Sequence, residues 1–113
     1  MQRIIQTLEL VDDPGLIEQY IEAHRNVWPE ITDGIRAVGI TRMDIYRLGT
    51  RLVMVLELAD GVNRDEAFAR LATLPRQAEW EAFVGRFQKC DPGADSGAKW
   101  QEMSQIFALP AER

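Results

Sequence analysis

The middle of the chain reads Ile40-Thr-Arg-Met-Asp-Ile-Tyr-Arg-Leu-Gly-Thr-Arg-Leu-Val-Met-Val-Leu-Glu-Leu58. Its first part, up to Arg47, alternates between apolar and polar residues, as a half-buried strand does. Its last part, Arg51–Leu58, is rich in Val and Leu. Leu48-Gly49-Thr50 lies between them and has the composition of a short turn. The pattern predicts two strands that pair as an antiparallel β-hairpin.

Further strands and helices are predicted on both sides of this hairpin. Alternation predicts strands at Arg3–Leu10 and Trp100–Leu109. Apolar residues at helical spacing predict four helical segments: one that follows the turn Asp12–Gly15 and reaches His24, one from Pro29 to Val38 that Gly39 ends, one over Arg64–Leu71, and one from after Pro75 to about Lys89. A polar loop is expected at Asp91–Gly97.

This order of elements is the β-α-β-β-α-β signature of a ferredoxin-like fold, of the α+β class. We expect a single domain over residues 1–113, because the chain is too short for two ordinary domains. Such a sheet carries helices on one face only. Ile5 lies opposite Ile4, and Ile106 lies opposite Phe107, so both sheet faces carry apolar residues. A second copy packed on the free face would bury them, which predicts a symmetric homodimer.

The composition limits the kinds of molecule that the protein is expected to bind and the compartment in which it is expected to fold. Net charge is −5 and the basic residues are scattered, which argues against nucleic acid and lipid surfaces. No apolar run reaches the roughly 20 residues that span a bilayer. The lone Cys90 excludes an internal disulfide and fits a reducing compartment, and the N-terminus lacks a signal-peptide core. We expect a cytoplasmic protein.

The residues give no sign of a bound metal or cofactor. One histidine and one cysteine among scattered carboxylates offer no metal-ligand spacing. There is no Gly-rich phosphate loop, no serine elbow and no Cys–His nucleophile pattern. The sequence therefore predicts chemistry without metal or cofactor.

The stretch Tyr20–Glu30 holds most of the groups that can move protons or stack on a ring. His24 is the only histidine, and Tyr20 lies four residues before it, on the same face of a helix. Pro29 disfavours helical backbone at Trp28, so His24 is expected near a helix C-terminus. Such a histidine either exchanges protons near neutral pH or simply packs on the helix with a backbone hydrogen bond. These residues leave both readings open.

Trp28, Trp80 and Glu79 have ordinary readings as well. Tryptophans are mostly core residues, although some stack on the apolar faces of sugar rings. Glu79 has the place of a solvated helix residue beside Trp80. A buried Tyr20 would be expected to find a partner for its hydroxyl.

The run Tyr20-x-x-x-His24-x-x-Val-Trp28-Pro29-Glu30 resembles the L-rhamnose mutarotase family. The same resemblance extends to Ile45-Tyr46, the strand Leu52–Glu57, Trp80 and the terminal Ile106–Pro110, and so covers nearly the whole chain. It implies a dimeric ferredoxin-like α/β barrel, an isomerase that interconverts the anomers of a 6-deoxy sugar without metal or cofactor.

Position by position, the resemblance makes His24 the catalytic acid and Tyr20 and Trp80 sugar-binding residues. Two positions depart from the family pattern: Glu79 replaces the first of two adjacent tryptophans, and Met43 replaces a strand tyrosine. Both would lie at the sugar, together with Trp28, and a carboxylate there could bind vicinal hydroxyls. The altered pocket favours L-fucose over L-rhamnose.

The resemblance also suggests a mechanism. Opening a cyclic hemiacetal needs a proton delivered to the ring oxygen and one removed from the anomeric hydroxyl. His24 would protonate the ring oxygen, and water or Glu79 would take the anomeric proton. The alternative is a cofactor-free monooxygenase or a small-ligand binding module, because the same strand order serves both classes.

Overall fold

The protein folds as an antiparallel sheet with helices packed on it, in a computed structural model that describes residues 2–91 and 93–111. Within these residues the elements, in chain order, are β1 Gln2–Glu9, α1 Pro14–Ala23, α2 Pro29–Ala37, β2 Ile40–Leu48, β3 Arg51–Leu58, α3 Arg64–Leu71, α4 Gln77–Gly85, α5 Ser96–Lys99 and β4 Gln101–Glu102. None of these helices combines the length and apolar character that crossing a bilayer requires.

The sheet has the order β2-β3-β1-β4 with antiparallel neighbours, which confirms the ferredoxin-like α+β prediction. The central hairpin forms as predicted. Leu48 pairs with Arg51 across the turn, where Gly49 has a φ of 59°. Glycine adopts this left-handed conformation without steric cost. The two longest pairings, β1 with β3 and β2 with β3, build a platform on which the helices lie.

Alternate residues of the central strands face the helices and form the core. Leu8, Leu52 and Leu56 are buried there. Gln6 is fully buried on the same face, and the Arg64 guanidinium donates to its Oε1 at 3.1 and 3.2 Å. Arg64 also donates to the Trp100 carbonyl oxygen at 2.9 Å. One partly buried polar network therefore ties β1 to α3 and to the segment that leads into β4.

Side-chain caps and prolines fix where the helices begin. Asp13 accepts a hydrogen bond from the Leu16 backbone N–H at 3.0 Å, with Pro14 in the first turn of α1. Asn63 caps α3 in the same way through the Glu66 N–H. Helix α1 ends at Ala23, which leaves His24 as its C-cap residue.

The fourth helical segment is shorter than the sequence predicts. We expected it to reach about Lys89, but α4 ends at Gly85. Beyond it the backbone pairs with the end of β1: the Val11 N–H donates to the Phe87 carbonyl at 2.9 Å, and the Lys89 N–H donates to the Glu9 carbonyl at 2.8 Å. These tertiary bonds replace the helical ones. The loop predicted over 91–97 ends earlier than expected, because α5 begins at Ser96 and Asp95 caps it.

The prediction of a last strand over Trp100–Leu109 is wrong in length, since β4 spans only Gln101–Glu102. Trp100 is buried in the core, and the Met103 N–H donates to the Ile5 carbonyl at 2.7 Å. Beyond that point the side chains are exposed, including Ile106 at 97% and Phe107 at 65%. Within the described part of one chain, nothing pairs with this alternating segment.

Gly39 lies in the turn between α2 and β2, where the backbone conformation and the space next to Val62 leave no room for a side chain. Its φ is 93°, and a Cβ there would lie 2.7 Å from Val62 Cγ2. We expect Gly39→Ala to lower the free energy of unfolding by about 2–4 kcal/mol, from backbone strain and overpacking together. Gly49→Ala is the control: it has a φ of 59° with open space around the added atom and should cost about 1–2 kcal/mol.

Urea denaturation, monitored by tryptophan fluorescence, measures the loss in free energy of unfolding for both variants. Equal losses in the two variants would show that the contact with Val62 is not a constraint on this turn.

Candidate active site

A cavity of about 650 Å³ lies between the sheet and the helices, beside the edge strand β2. Tyr20 of α1, Ile31 of α2, Met43 of β2 and Trp80 of α4 contribute to its wall, and so does His24. A cavity of this size with aromatic walls and a few polar groups is typical of a small-molecule site.

His24 is held in one orientation by the backbone of its own helix. Its Nδ1 lies 2.8 Å from the Tyr20 carbonyl oxygen. Because a carbonyl oxygen only accepts, Nδ1 carries the hydrogen, and Nε2 of the neutral ring keeps its lone pair. Since His24 lines the cavity, Nε2 is the nitrogen left for a ligand. His24 therefore lies at a helix C-terminus, as the sequence predicts. It also makes the backbone hydrogen bond that the alternative interpretation expects.

Burial sets the protonation states of the neighbouring His24 and Tyr20 side chains. Desolvation lowers the pKa of His24, against the opposing effect of the bond to the Tyr20 carbonyl. Desolvation raises the pKa of Tyr20 to about 12, with a smaller opposing effect from Gln88. Gln88 Nε2 donates to the Tyr20 hydroxyl over 3.4 Å. At neutral pH both rings are therefore largely uncharged, with a phenol that donates and an imidazole nitrogen that accepts.

Aromatic contacts hold these groups in place. The Tyr20 and His24 rings are 4.4 Å apart, and Trp80 meets His24 edge-on at 5.4 Å. Trp28 packs edge-on against Trp80 at 5.1 Å, and the Arg76 guanidinium covers the Trp28 ring at 4.1 Å. Trp28 does not line the cavity but packs against Trp80, which does.

Glu79 does not line the cavity either. Its exposed carboxylate forms an ion pair with Arg76 at 3.0 Å, and Arg76 lies 3.4 Å from Glu30. The hydrogen bond from Arg76 lowers the pKa of Glu79. The structure therefore brings together Tyr20, His24, Met43 and Trp80 of the predicted site residues, and it places Trp28 and Glu79 outside the lining.

Three buried polar residues of the lining were missed by the sequence reasoning: Gln77, Gln88 and Lys99. A signal existed for Gln77, which lies three residues before Trp80 and so shares its inward helix face. Gln88 carried a similar signal, because it lies four residues after Val84 inside the segment predicted as helical, whereas Lys99 follows the predicted polar loop and had none. Within residues 2–91 and 93–111, no three His, Cys, Asp or Glu side chains are grouped to hold a metal ion.

The fold and the cavity together define a ferredoxin-like α+β protein with a cavity large enough for a small molecule. Comparison with known proteins makes this specific. A model of the L-rhamnose mutarotase family matches residues 3–109, and the chain belongs to this family. It is a sugar mutarotase, an isomerase that acts on carbohydrates.

Individual relatives agree with this assignment. The chain is 43% identical over 111 residues to an L-fucose mutarotase of Xanthomonas campestris pv. campestris, covering 96% of this chain and 89% of the relative. The crystal structure of an L-rhamnose mutarotase from Formosa agariphila superposes with a TM-score of 0.69 at 16% identity, over 97% of this chain and all of that one.

Another solved structure shares the fold alone. Tetracenomycin F2 cyclase of Streptomyces glaucescens superposes with a TM-score of 0.64 at 16% identity, and the match covers 97% of this chain and all of the cyclase. The fold is therefore compatible with more than one chemistry, and the assignment rests on the family match.

The lowered pKa of His24 predicts a stability change with pH. Between the folded pKa and the unfolded value near 6.5, the unfolded chain binds more protons than the folded one. The free energy of unfolding should therefore fall as pH falls below about 6.5 and level off below the folded pKa.

His24→Gln should lack this contribution, so the difference between wild type and variant isolates it from the carboxylates. Proton NMR of the single imidazole gives the folded pKa independently. A midpoint above 6.5 in the folded protein would contradict the burial argument.

Proposed function

We propose that this protein interconverts the α and β anomers of a 6-deoxy-L-hexose, with L-fucose as the preferred sugar and L-rhamnose next. The observation that carries the proposal is the His24 ring in the wall of an aromatic cavity, with its Nδ1 bonded to the Tyr20 carbonyl. Mutarotation requires proton transfer and no covalent intermediate, which a single positioned imidazole can supply.

The proton pathway differs from the one predicted from sequence. Glu79 lies outside the cavity and is paired with Arg76, which argues against its taking the anomeric proton. We infer instead that Nε2 of His24 removes the proton from the anomeric hydroxyl. As the C1–O5 bond breaks and C1=O1 forms, the imidazolium returns that proton to the ring oxygen.

One imidazole can serve both steps because the anomeric oxygen and the ring oxygen are bonded to the same carbon. Rotation about C1–C2 then presents the other face of the aldehyde. Ring closure runs the same two proton transfers in reverse and forms the opposite anomer. Atoms and charge balance over the cycle, and no metal or cofactor takes part.

The remaining residues would bind and orient the sugar. Trp80 offers an apolar face for the C–H groups of the ring, and the Tyr20 hydroxyl is a neutral hydrogen-bond donor. The preference for L-fucose is supported by the 43% identical relative and by Met43, which lines the cavity where the family pattern has a tyrosine. A cytoplasmic location stays a prediction.

We also propose that the protein is a homodimer. The sheet face opposite the helices, which we name the outer sheet face, carries Ile5, Thr7, Val53, Val55 and Tyr46. Ion pairs frame this apolar stripe at both ends, Arg3 with Glu57 at 3.3 Å and Arg51 with Glu9 at 2.6 Å. A second copy packed here would cover it and give the exposed alternating tail beyond Met103 a surface to pair with.

Exchange spectroscopy by NMR, which follows magnetisation between the two anomers, tests the activity. With L-fucose we expect faster exchange than with L-rhamnose, and His24→Ala should slow the enzymatic rate by about 10²- to 10⁴-fold. Arg25→Ala, at an exposed neighbouring position, is the control and should keep the rate. Binding of sugar without any acceleration would end the mutarotase proposal.

The pH profile separates the two roles of His24. If the neutral ring starts the cycle as a base, kcat/KM should fall as pH falls through the lowered pKa of His24 and stay level above it. A catalytic acid predicts the reverse, with the rate falling as pH rises through the same pKa.

Light scattering after size exclusion tests the dimer. We expect a mass of twice 12.9 kDa, and Val55→Glu should give the single-chain mass because it places a charge in the middle of the outer sheet face. Ala82→Glu, on the exposed side of α4, should remain dimeric. A monomeric wild type, or a dimer that tolerates Val55→Glu, would contradict the proposed interface.

A further inference from the structure

Three buried polar side chains of the cavity have no part in the proton transfer described above. Gln77, Gln88 and Lys99 are 3%, 5% and 6% exposed, and all three line the cavity. They come from three places in the chain: the first turn of α4, the segment bonded to the end of β1, and the last residue of α5. Their convergence is a product of the tertiary fold.

Their hydrogen-bonding capacity is not used up by the protein. Gln77 Oε1 and Gln88 Oε1 are buried and have no hydrogen-bond partner among the residues that the structure describes. Turning the Gln88 amide over does not help, because one of its two polar atoms faces the Tyr20 hydroxyl and the other is left over in either orientation. A buried polar atom left unpaired is destabilising, and native proteins contain few of them.

Within the described ranges of the chain, the ammonium group of Lys99 makes fewer and longer hydrogen bonds than its three donors allow. Its ammonium reaches the Glu81 carbonyl oxygen only at 3.5 Å, the outer limit of a hydrogen bond, although it has three donors. The Glu81 carboxylate does not pair with it closely and instead accepts from the Ser96 backbone N–H at 2.6 Å. Burial lowers the pKa of Lys99, with smaller opposing effects from Cys90, Glu81 and Asp95.

We propose that Gln77, Gln88 and Lys99 are the hydroxyl-binding residues of this cavity, with the two amide oxygens accepting from sugar hydroxyl groups and the lysine ammonium donating to a sugar oxygen. The inference rests on the proposed function and adds to it the residues that recognise the polar side of the sugar. Trp80 then serves the apolar ring face and His24 the anomeric carbon.

A sugar suits this set better than other small molecules of similar size. Each hydroxyl is both a donor and an acceptor, so it can satisfy an amide oxygen and an ammonium alike. An aromatic or purely apolar ligand would leave all three groups unpaired. A carboxylate only accepts hydrogen bonds, so it would suit Lys99 and leave the two amide oxygens unpaired. The residues therefore select a neutral polyol.

The chain offers a clean probe of Lys99, because it contains only two lysines, Lys89 and Lys99. In protein labelled with ¹³C-lysine, the Cε–Hε groups give two signals, which Lys89→Met assigns. Lys89 is exposed and outside the cavity, so it is an internal control. We expect L-fucose to shift the Lys99 signal in a saturable way and to leave the Lys89 signal in place.

Substitutions test the energetic part. Lys99→Met, Gln77→Leu and Gln88→Leu should each raise KM for L-fucose by about 10-fold or more and change kcat by less than about 3-fold. Lys89→Met and the exposed Gln19→Leu are the matched controls and should leave both constants unchanged. Circular dichroism checks that each variant is folded, and the labelling experiment on wild-type protein stands even where a variant is not.

Analogues of L-fucose that lack one hydroxyl identify the contact itself. For the analogue without the hydroxyl that Lys99 binds, wild type and Lys99→Met should bind equally well, and for the other analogues the difference should persist. An equal loss on all analogues would show a general packing role and overturn the assignment of Lys99.

The outcomes separate this inference from the proposed function. If wild-type protein binds L-fucose with the Lys99 shift but does not speed anomer exchange, the mutarotase mechanism fails and the hydroxyl-binding role stands. If exchange is fast but the Lys99 signal does not move and KM is unchanged in all three variants, the mechanism stands and this inference is wrong. If neither L-fucose nor L-rhamnose binds, both are wrong.

Discussion

The antiparallel pairing of β1 with β3, from Gln2 opposite Leu58 to Glu9 opposite Arg51, is the constraint on which the rest of the molecule depends. It puts the N-terminal strand in the middle of the sheet and turns the even-numbered residues of both strands toward the helices. The chain beyond Glu9 is then fixed as well, because Leu10 forms a bridge with Gln88. Gln88 in turn holds the Tyr20 hydroxyl. The site is thus joined to the central strands by hydrogen bonds.

The electrostatics of the site follow from burial. Burial keeps His24 neutral by lowering its pKa, and it keeps Tyr20 protonated by raising its pKa. The Tyr20 carbonyl chooses the imidazole tautomer. Charged groups such as Glu79 and Arg76 pair with each other on the outside, where water screens them. At His24 and Tyr20 the cavity is therefore lined by neutral groups that can exchange protons or hydrogen bonds, as the opening of a hemiacetal requires.

Sequence patterns predicted those elements whose residues meet their partners within a few positions. The hairpin around Gly49 and the helix starts at Pro14 and Arg64 depend on local backbone preferences, so they were found close to their true places. The end of α4 was not, because a bridge to β1 stops the helix after Gly85, and that partner lies far away in sequence. The length of the last strand was overestimated. Alternation of apolar and polar residues shows that one side of a segment tends to be buried, but it does not show which partner buries it.

By itself, the sequence determined the ferredoxin-like order, the family and the pairing of Tyr20 with His24 on one helix face, because each depends on residue type and short spacing. Only the tertiary structure decided which side chains share the cavity. It placed Glu79 outside, since Arg76 holds the carboxylate at the surface, and it placed Gln77, Gln88 and Lys99 inside. The physical reason is that a binding site is made by the convergence of distant elements, and burial, which sets the charge and the hydrogen-bonding need of each group, exists only once the chain has folded.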